Sequence, residues 1–167
     1  MTSLTPPLNL ADVIKNPHVL AIMPAQYEIV AHRNLPASHQ GAMVEYMACS
    51  GGVWELGDDV DSKCPKSLSL SVERYGDHLM GVVTLSTEDV KAAIMKTGEI
   101  AEDFKTWDDY HKWYKGAGDV PVYDYQDRWP VILCAFSDEV LQDGWHRLHA
   151  YISAGHQDIP AIFYVTH

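Results

Sequence analysis

The chain has 167 residues, 47% of them hydrophobic and 21% charged, and its 12 Lys and Arg against 23 Asp and Glu give a formal net charge of −11 with histidine neutral. A chain of this length fits one domain with its own core and needs no staple to fold, while its longest apolar runs, such as residues 131–136, fall far short of the ~20 residues that cross a bilayer. The acidic balance also argues against passive coating of nucleic acid, which depends on lysine and arginine neutralising phosphates.

Residues 1–10 show neither the basic nor the apolar region of a signal peptide, so the expectation is a cytoplasmic protein with no membrane partner. Three cysteines, Cys49, Cys64 and Cys134, are an odd number without C-x-x-C spacing, which argues against a disulfide framework and against a zinc site.

Taken in chain order, residues 10–14 and 41–47 read as short helices and residues 27–31 as a strand. Prolines at 6, 7, 17, 24 and 36 keep every element in this part short. Gly51-Gly52 and residues 58–65 mark a soft boundary rather than a domain break. The chain is therefore read as a single domain in which residues 1–66 form an N-terminal part of unplaced role and residues 67–167 the core.

Beyond the boundary, Leu68, Leu70 and Val72 alternate with Ser69, Ser71 and Glu73, and Tyr75-Gly76-Asp77-His78 is followed by the apolar residues 79–85. This pattern predicts a hairpin. Ser86 or Thr87 can cap a helix carrying Val90, Ala93 and Ile94 on one face, with Gly98 placed to end it. Thr106 and Asp109 resemble a capping box for a second helix whose Trp107, Tyr110, Trp113 and Tyr114 lie on one stripe and which Gly116 closes. That stripe suits core packing or a homodimer contact more than base stacking. The last third reads as strand 129–136, turn 137–139, strand 140–142, helix 144–153 and strand 159–165, with Gly155 as the helix stop. Helices between strands point to an α+β (mixed α/β) domain with a small mixed sheet and flanking helices.

Chemistry concentrates in Asp143-Gly144-Trp145-His146-Arg147, at the junction of a strand and an exposed helix start. The free N–H groups and positive dipole end of a helix attract anions, glycine allows close approach, Arg147 offers a fork for phosphate oxygens, and His146 can donate a hydrogen bond or move a proton. Asp143 can cap the helix or hold a magnesium ion, and Glu139 in the preceding turn is a second hard oxygen ligand. The plainer alternatives are a helix cap, a surface ion pair and a solvated acidic turn.

Residues 143–165, DGWHRLHAYISAGHQDIPAIFYV, resemble the core of the ParB/sulfiredoxin superfamily (ParB-like nuclease domain) at Asp143, Gly144, His146, Arg147, Ala150, Gly155, Ile159 and Pro160. Residues 82–94 resemble its first strand and helix more loosely. The resemblance implies a ParB/sulfiredoxin-like fold with a nucleotide pocket. It also implies ATP or CTP as ligand, Mg2+ as cofactor, and NTP hydrolysis or phosphate transfer or cleavage of DNA. Gly144, Trp145, His146, Arg147 and Arg128 would then bind phosphate, with His146, Asp143 and Glu139 as catalytic groups. Sulfiredoxin chemistry is excluded, because Trp145 stands where that enzyme carries its cysteine nucleophile. No helix-turn-helix region follows the motif before His167, so a chromosomal partition role is not expected.

Other basic and aromatic groups have competing readings. Arg128 and Arg74 either reach the pocket or form surface ion pairs of little energetic weight, and Arg33 belongs to the unplaced part. His146 and His149 lie three apart on one helix, with His156 beyond it, and capping or surface roles suit them better than a transition-metal site. Tyr123-Asp124-Tyr125 and Trp129 suit packing more than base stacking, whereas Trp145 suits either equally. A different class of function also fits. The resemblance also implies this class, since some compact stand-alone members of the superfamily, carried on mobile elements such as plasmids, block conjugal DNA transfer, and a charge of −11 suits a regulatory or inhibitory protein that engages a basic protein partner.

Overall fold

The computed structural model describes residues 9–49, 65–116 and 126–165. Its centre is one mixed five-stranded sheet formed by β1 (Glu28–Ala31), β2 (Leu79–Ser86), β3 (Val131–Leu133), β4 (Leu141–Asp143) and β5 (Asp158–Tyr164), in the order β1-β2-β5-β3-β4. Neighbouring strands run antiparallel except β3 and β5, which are parallel. Side chains alternate across β5, so Ile159, Ala161 and Phe163 enter one core while Ile162 and Tyr164 enter another. Both faces of the sheet are therefore covered. Pro160 is tolerated in this inner strand because pairing with β3 begins only at Ala161.

The first core lies under α1 (Leu10–Val13), α2 (Pro17–Leu20), α5 (Thr87–Met95), α6 (Gly98–Asp103), α7 (Trp107–Gly116) and α8 (Trp145–Ser153). The second is closed by α3 (Ala37–Cys49) through Met43, Val44, Tyr46 and Met47, and by α4 (Pro65–Tyr75) through Leu68, Leu70 and Tyr75. The described part of the first 66 residues thus supplies an edge strand and much of the cover of one sheet face. Gly41 lets α3 approach closely, since a Cβ there would lie 2.6 Å from the Trp129 ring.

The expected hairpin is corrected. Residues Pro65–Tyr75 are helical, and β2 pairs instead with β1, Glu28 opposite Val82 through Ala31 opposite Leu79. The period-2 pattern misled because Ser67 and Ser71 are buried, not solvent-facing. Ser71 satisfies its hydroxyl by donating to the Leu68 carbonyl at 2.7 Å and lies 3.0 Å from His32 Nε2, which makes a buried serine acceptable on this helical face. Pro65 at the first helical position fits, as its missing N–H would have had no partner there.

Elsewhere the elements lie close to their expected places. Ser86 caps α5 by accepting from the Asp89 N–H, and Thr106 does the same for Asp109 at 3.2 Å at the start of α7. Gly98 does not end α5, because α5 stops at Lys96 and Gly98 opens α6. The Thr97 hydroxyl instead satisfies the Ile94 carbonyl at 2.6 Å. Gly155, at φ 82°, ends α8 as expected. The strand read over residues 129–136 narrows to Val131–Leu133, whose register with β4 is irregular. The expected boundary at Gly51-Gly52, Cys64 and the Tyr123-Asp124-Tyr125 cluster lie outside the described residues. Among the described residues no helix is long and apolar enough to cross a membrane.

The aromatic stripe of α7 is consumed largely by the core. Trp107 and Tyr110 are buried, Tyr114 stacks on His149 with ring centroids 3.7 Å apart, and only Trp113, at 58% exposure, faces outward. His149 is fully buried between Trp107 and Tyr114, with Nδ1 2.7 Å from His111 Nδ1 and Nε2 lacking a hydrogen-bond partner among the described residues. Burial, with the nearby His111 and His146, pushes its pKa from 6.5 down to about 3, and burial followed by His78 pushes His32 down to about 4.

Two outcomes follow from this packing. Gly81 lies opposite Phe163, and an added Cβ would enter the Phe163 ring, so Gly81→Ala lowers stability by about 1–3 kcal/mol in urea denaturation. The unfolded chain protonates its histidines below pH 6.5 while the folded protein keeps His149 and His32 neutral, so stability is full above that pH and falls as the pH drops toward 4. His149 alone contributes about 2 kcal/mol of loss between pH 8 and pH 5, read as a falling urea midpoint, and His149→Phe makes that slope shallower.

Candidate functional site

A cleft of about 910 Å³ opens where β4 passes into α8, and it gathers most of the residues that the sequence singled out. Asp143 ends β4, Gly144 precedes α8, and Trp145, His146 and Arg147 form its first turn. Gly144 adopts φ 96°, a left-handed conformation in which a Cβ would lie 3.0 Å from the Val131 Cα and 3.1 Å from Arg147 Nη2. Only glycine fits this turn without strain. No side chain caps α8, so its first-turn amides have neither an intrahelical partner nor a side-chain cap. The expectation that Asp143 could cap the helix is therefore corrected. Its carboxylate instead lies 3.7 Å from Arg147 Nη2.

Arg147 is not exposed as the sequence reading placed it. Only 3% of the residue is accessible, and Nη1 stands 3.5 Å from Glu45 Oε1. Nε and Nη2 are buried without a hydrogen-bond partner among the described residues. A guanidinium out of water needs countercharge, and here one carboxylate comes from the end of β4 and the other from α3. Glu45 also accepts from Gln126 Nε2 through its second oxygen, while the Gln126 carbonyl accepts from the Tyr151 hydroxyl at 3.3 Å.

The opposite wall is the turn carrying Ser137, Asp138 and Glu139. It is held from a distance in sequence by Asn16, whose buried Nδ2 donates to the carbonyls of Cys134 at 3.0 Å and Glu139 at 2.6 Å. The Lys15 and Asn16 N–H groups both donate to the Ala135 carbonyl. Glu139 and Asp138 keep their side chains exposed on this clamped backbone. The remaining wall includes Thr97, Gly98 and Ile100 together with Tyr110 and Tyr114. Burial, followed by Tyr114, raises the Tyr110 phenol to about 12, and burial followed by Asp143 raises Tyr114, so both line the cleft in the neutral form.

His146 is exposed and lies edge-on to Tyr114 at 5.5 Å, free to meet a ligand in the cleft. Trp145 is half-buried and packs in part against the first core. His149 points away into the interface with α7 and is not a wall residue. Arg128 is not brought to the cleft either. It sits at φ 61°, half-exposed, with Nη2 3.6 Å from Asp158 and Nη1 3.2 Å from His156 Nδ1. Arg33 pairs with Asp77 at the surface at 2.6 Å, and Arg74 is exposed near the end of α4.

Among the described residues the cleft is strongly acidic, because Glu45, Asp138, Glu139 and Asp143 line it against the single guanidinium of Arg147. Asp143 and Glu139 are hard oxygen donors suited to a divalent cation, although no group of three metal-ligating side chains converges among the described residues. Glu45 and Gln126 escaped the sequence reading. Neither belongs to the motif or carries a local pattern; α3 brings Glu45 to the cleft, and Gln126 reaches it from the segment that precedes β3. The fold is mixed α+β by these observations alone. No family model, no curated protein and no solved structure matches the chain.

Proposed function

We propose that this cleft binds a nucleoside triphosphate such as ATP or CTP together with Mg2+ and hydrolyses or transfers its terminal phosphate, on a fold of the ParB/sulfiredoxin kind. The observation that carries this reading is Arg147. A buried guanidinium with two unused donors, beside the uncapped start of a nine-residue helix, offers the positive charge and N–H groups that phosphate oxygens need. The fold assignment rests on the sequence resemblance, whose main residues lie in the β4–Gly144–α8–Gly155–β5 connection.

The electrostatics require the metal in this reading. Four carboxylates would repel a bare triphosphate, and a divalent cation, which Asp143 and Glu139 would hold, would offset much of that repulsion and supply positive charge to the phosphoryl group. His146, exposed at the helix start, serves as the acid or base in this reading. Tyr114 and Trp145 offer aromatic faces to a base. DNA as the phosphodiester substrate uses the same parts, but the acidic cleft favours the small metal-chelated ligand.

Phosphate release from ATP, CTP and GTP, each with and without Mg2+, tests the reading. The expected result is Mg2+-dependent turnover with a base preference, lost by at least about a hundredfold in His146→Ala, in line with removal of a general acid or base. Turnover falls to background in Arg147→Ala. Turnover retained in both variants, or absent with every nucleotide, overturns it.

A further inference from the structure

We propose that Glu45 is a built-in latch on this anion site: its carboxylate occupies Arg147 while no ligand is bound and is displaced by the incoming oxyanion, so that Glu45 sets the affinity of the site. The inference rests on the reading of the cleft as an anion site and adds a residue that neither the motif nor its helix contains.

Three features of the geometry support it. First, the contacts that hold Arg147 are long, 3.5 Å to Glu45 and 3.7 Å to Asp143, against about 2.7–2.9 Å for a strong charge-assisted pair. They neutralise the guanidinium while engaging only Nη1 in a hydrogen bond, leaving Nε and Nη2 without a hydrogen-bond partner among the described residues. Second, these two donors are enclosed, so the guanidinium has to turn to present them to a ligand, and Glu45, which lines the same cleft, competes with that ligand for the guanidinium. Third, Glu45 has somewhere to go. Its side chain is one-third exposed, and its other oxygen keeps the hydrogen bond from Gln126 Nε2, so releasing Arg147 returns one oxygen to water without leaving a buried charge alone. Asp143, at the end of β4 four residues before Arg147, is the carboxylate that remains to balance the guanidinium or to hold the metal.

A resident carboxylate competes with any anion for the same positive group. Removing its charge deletes both the competition and a like-charge repulsion a few ångströms from the bound phosphate; that repulsion is worth about fivefold in affinity with water-like screening and more at lower dielectric, so a gain of about tenfold is expected. A side chain that merely supported the fold would lower affinity on substitution, so a gain is the distinguishing readout.

The test is isothermal titration calorimetry of the full chain with inorganic phosphate and, separately, with ATP in the presence of Mg2+. Glu45→Gln is expected to bind both about tenfold more tightly than wild type. Glu45→Ala, which removes the charge without placing an amide beside the guanidinium, gives a rise in the same direction. Adding Arg147→Ala to either variant abolishes binding. Wild-type or weaker affinity in both Glu45 variants, with Arg147→Ala still abolishing binding, overturns the latch and leaves the anion site standing. Absence of binding in wild type and in both Glu45 variants, with Mg2+ present as well as absent, overturns the anion site and the latch with it.

Discussion

A guanidinium kept out of water constrains the architecture around it. Arg147 is 3% exposed, and its charge is tolerable only because Asp143 from the end of β4 and Glu45 from α3 face it together. Those carboxylates belong to different layers, since α3 covers one face of the sheet and α8 the other. The ion group therefore fixes how the two layers meet at the end of β3, where Gly144 must lack a Cβ to pass Val131. The cleft is the space left on the open side of this arrangement, and its acidity follows from the carboxylates needed to balance one buried cation together with those of the adjacent turn.

From β4 onward the chain was legible because the boundaries of α8 have a local chemical cause. A glycine in the left-handed region starts α8 and another ends it, and the apolar residues of the following strand alternate between two covered faces. The N-terminal part gave weaker signals for an equally physical reason. Ala42, Met43, Val44, Tyr46 and Met47 of α3 are all buried, and a helix buried around most of its girth loses the polar face that makes helical periodicity visible. Leu68 to Glu73 misled in the opposite way, since serines that satisfy themselves locally mimic the polar half of a strand pattern. Within the site, Asp143, Gly144, His146, Arg147 and Glu139 were found from the motif and its neighbours. Glu45, Gln126 and Asn16 act across the fold, and no spacing in the chain announces them. Arg128 was placed by its proximity in sequence to the motif strand, but its left-handed backbone directs it to Asp158 and His156.

The histidines divide by environment. His149 and His32 are interior groups held neutral by desolvation, one among the aromatic rings of α7 and the other beside Ser71. His146, one turn from His149 on the same helix, faces solvent and the cleft. Spacing alone placed the two on neighbouring faces; what separates their chemistry is that the aromatic ladder of Trp107, Tyr110 and Tyr114 encloses one and leaves the other outside.

The clamp at Asn16 bears on when the cleft comes into being. Its amide bonds residues 118 and 123 positions away in the chain, and Glu45 meets Arg147 across 102. Contacts of such separation pay their loop-closure entropy before any interaction rewards it, and they are slow to form. The β4–α8–β5 unit can condense from nearby residues, but the acidic turn takes its final position only when the N-terminal segment arrives. Assembly of the pocket is thus a late event in folding, and a nascent chain carries the complete motif before it has a site.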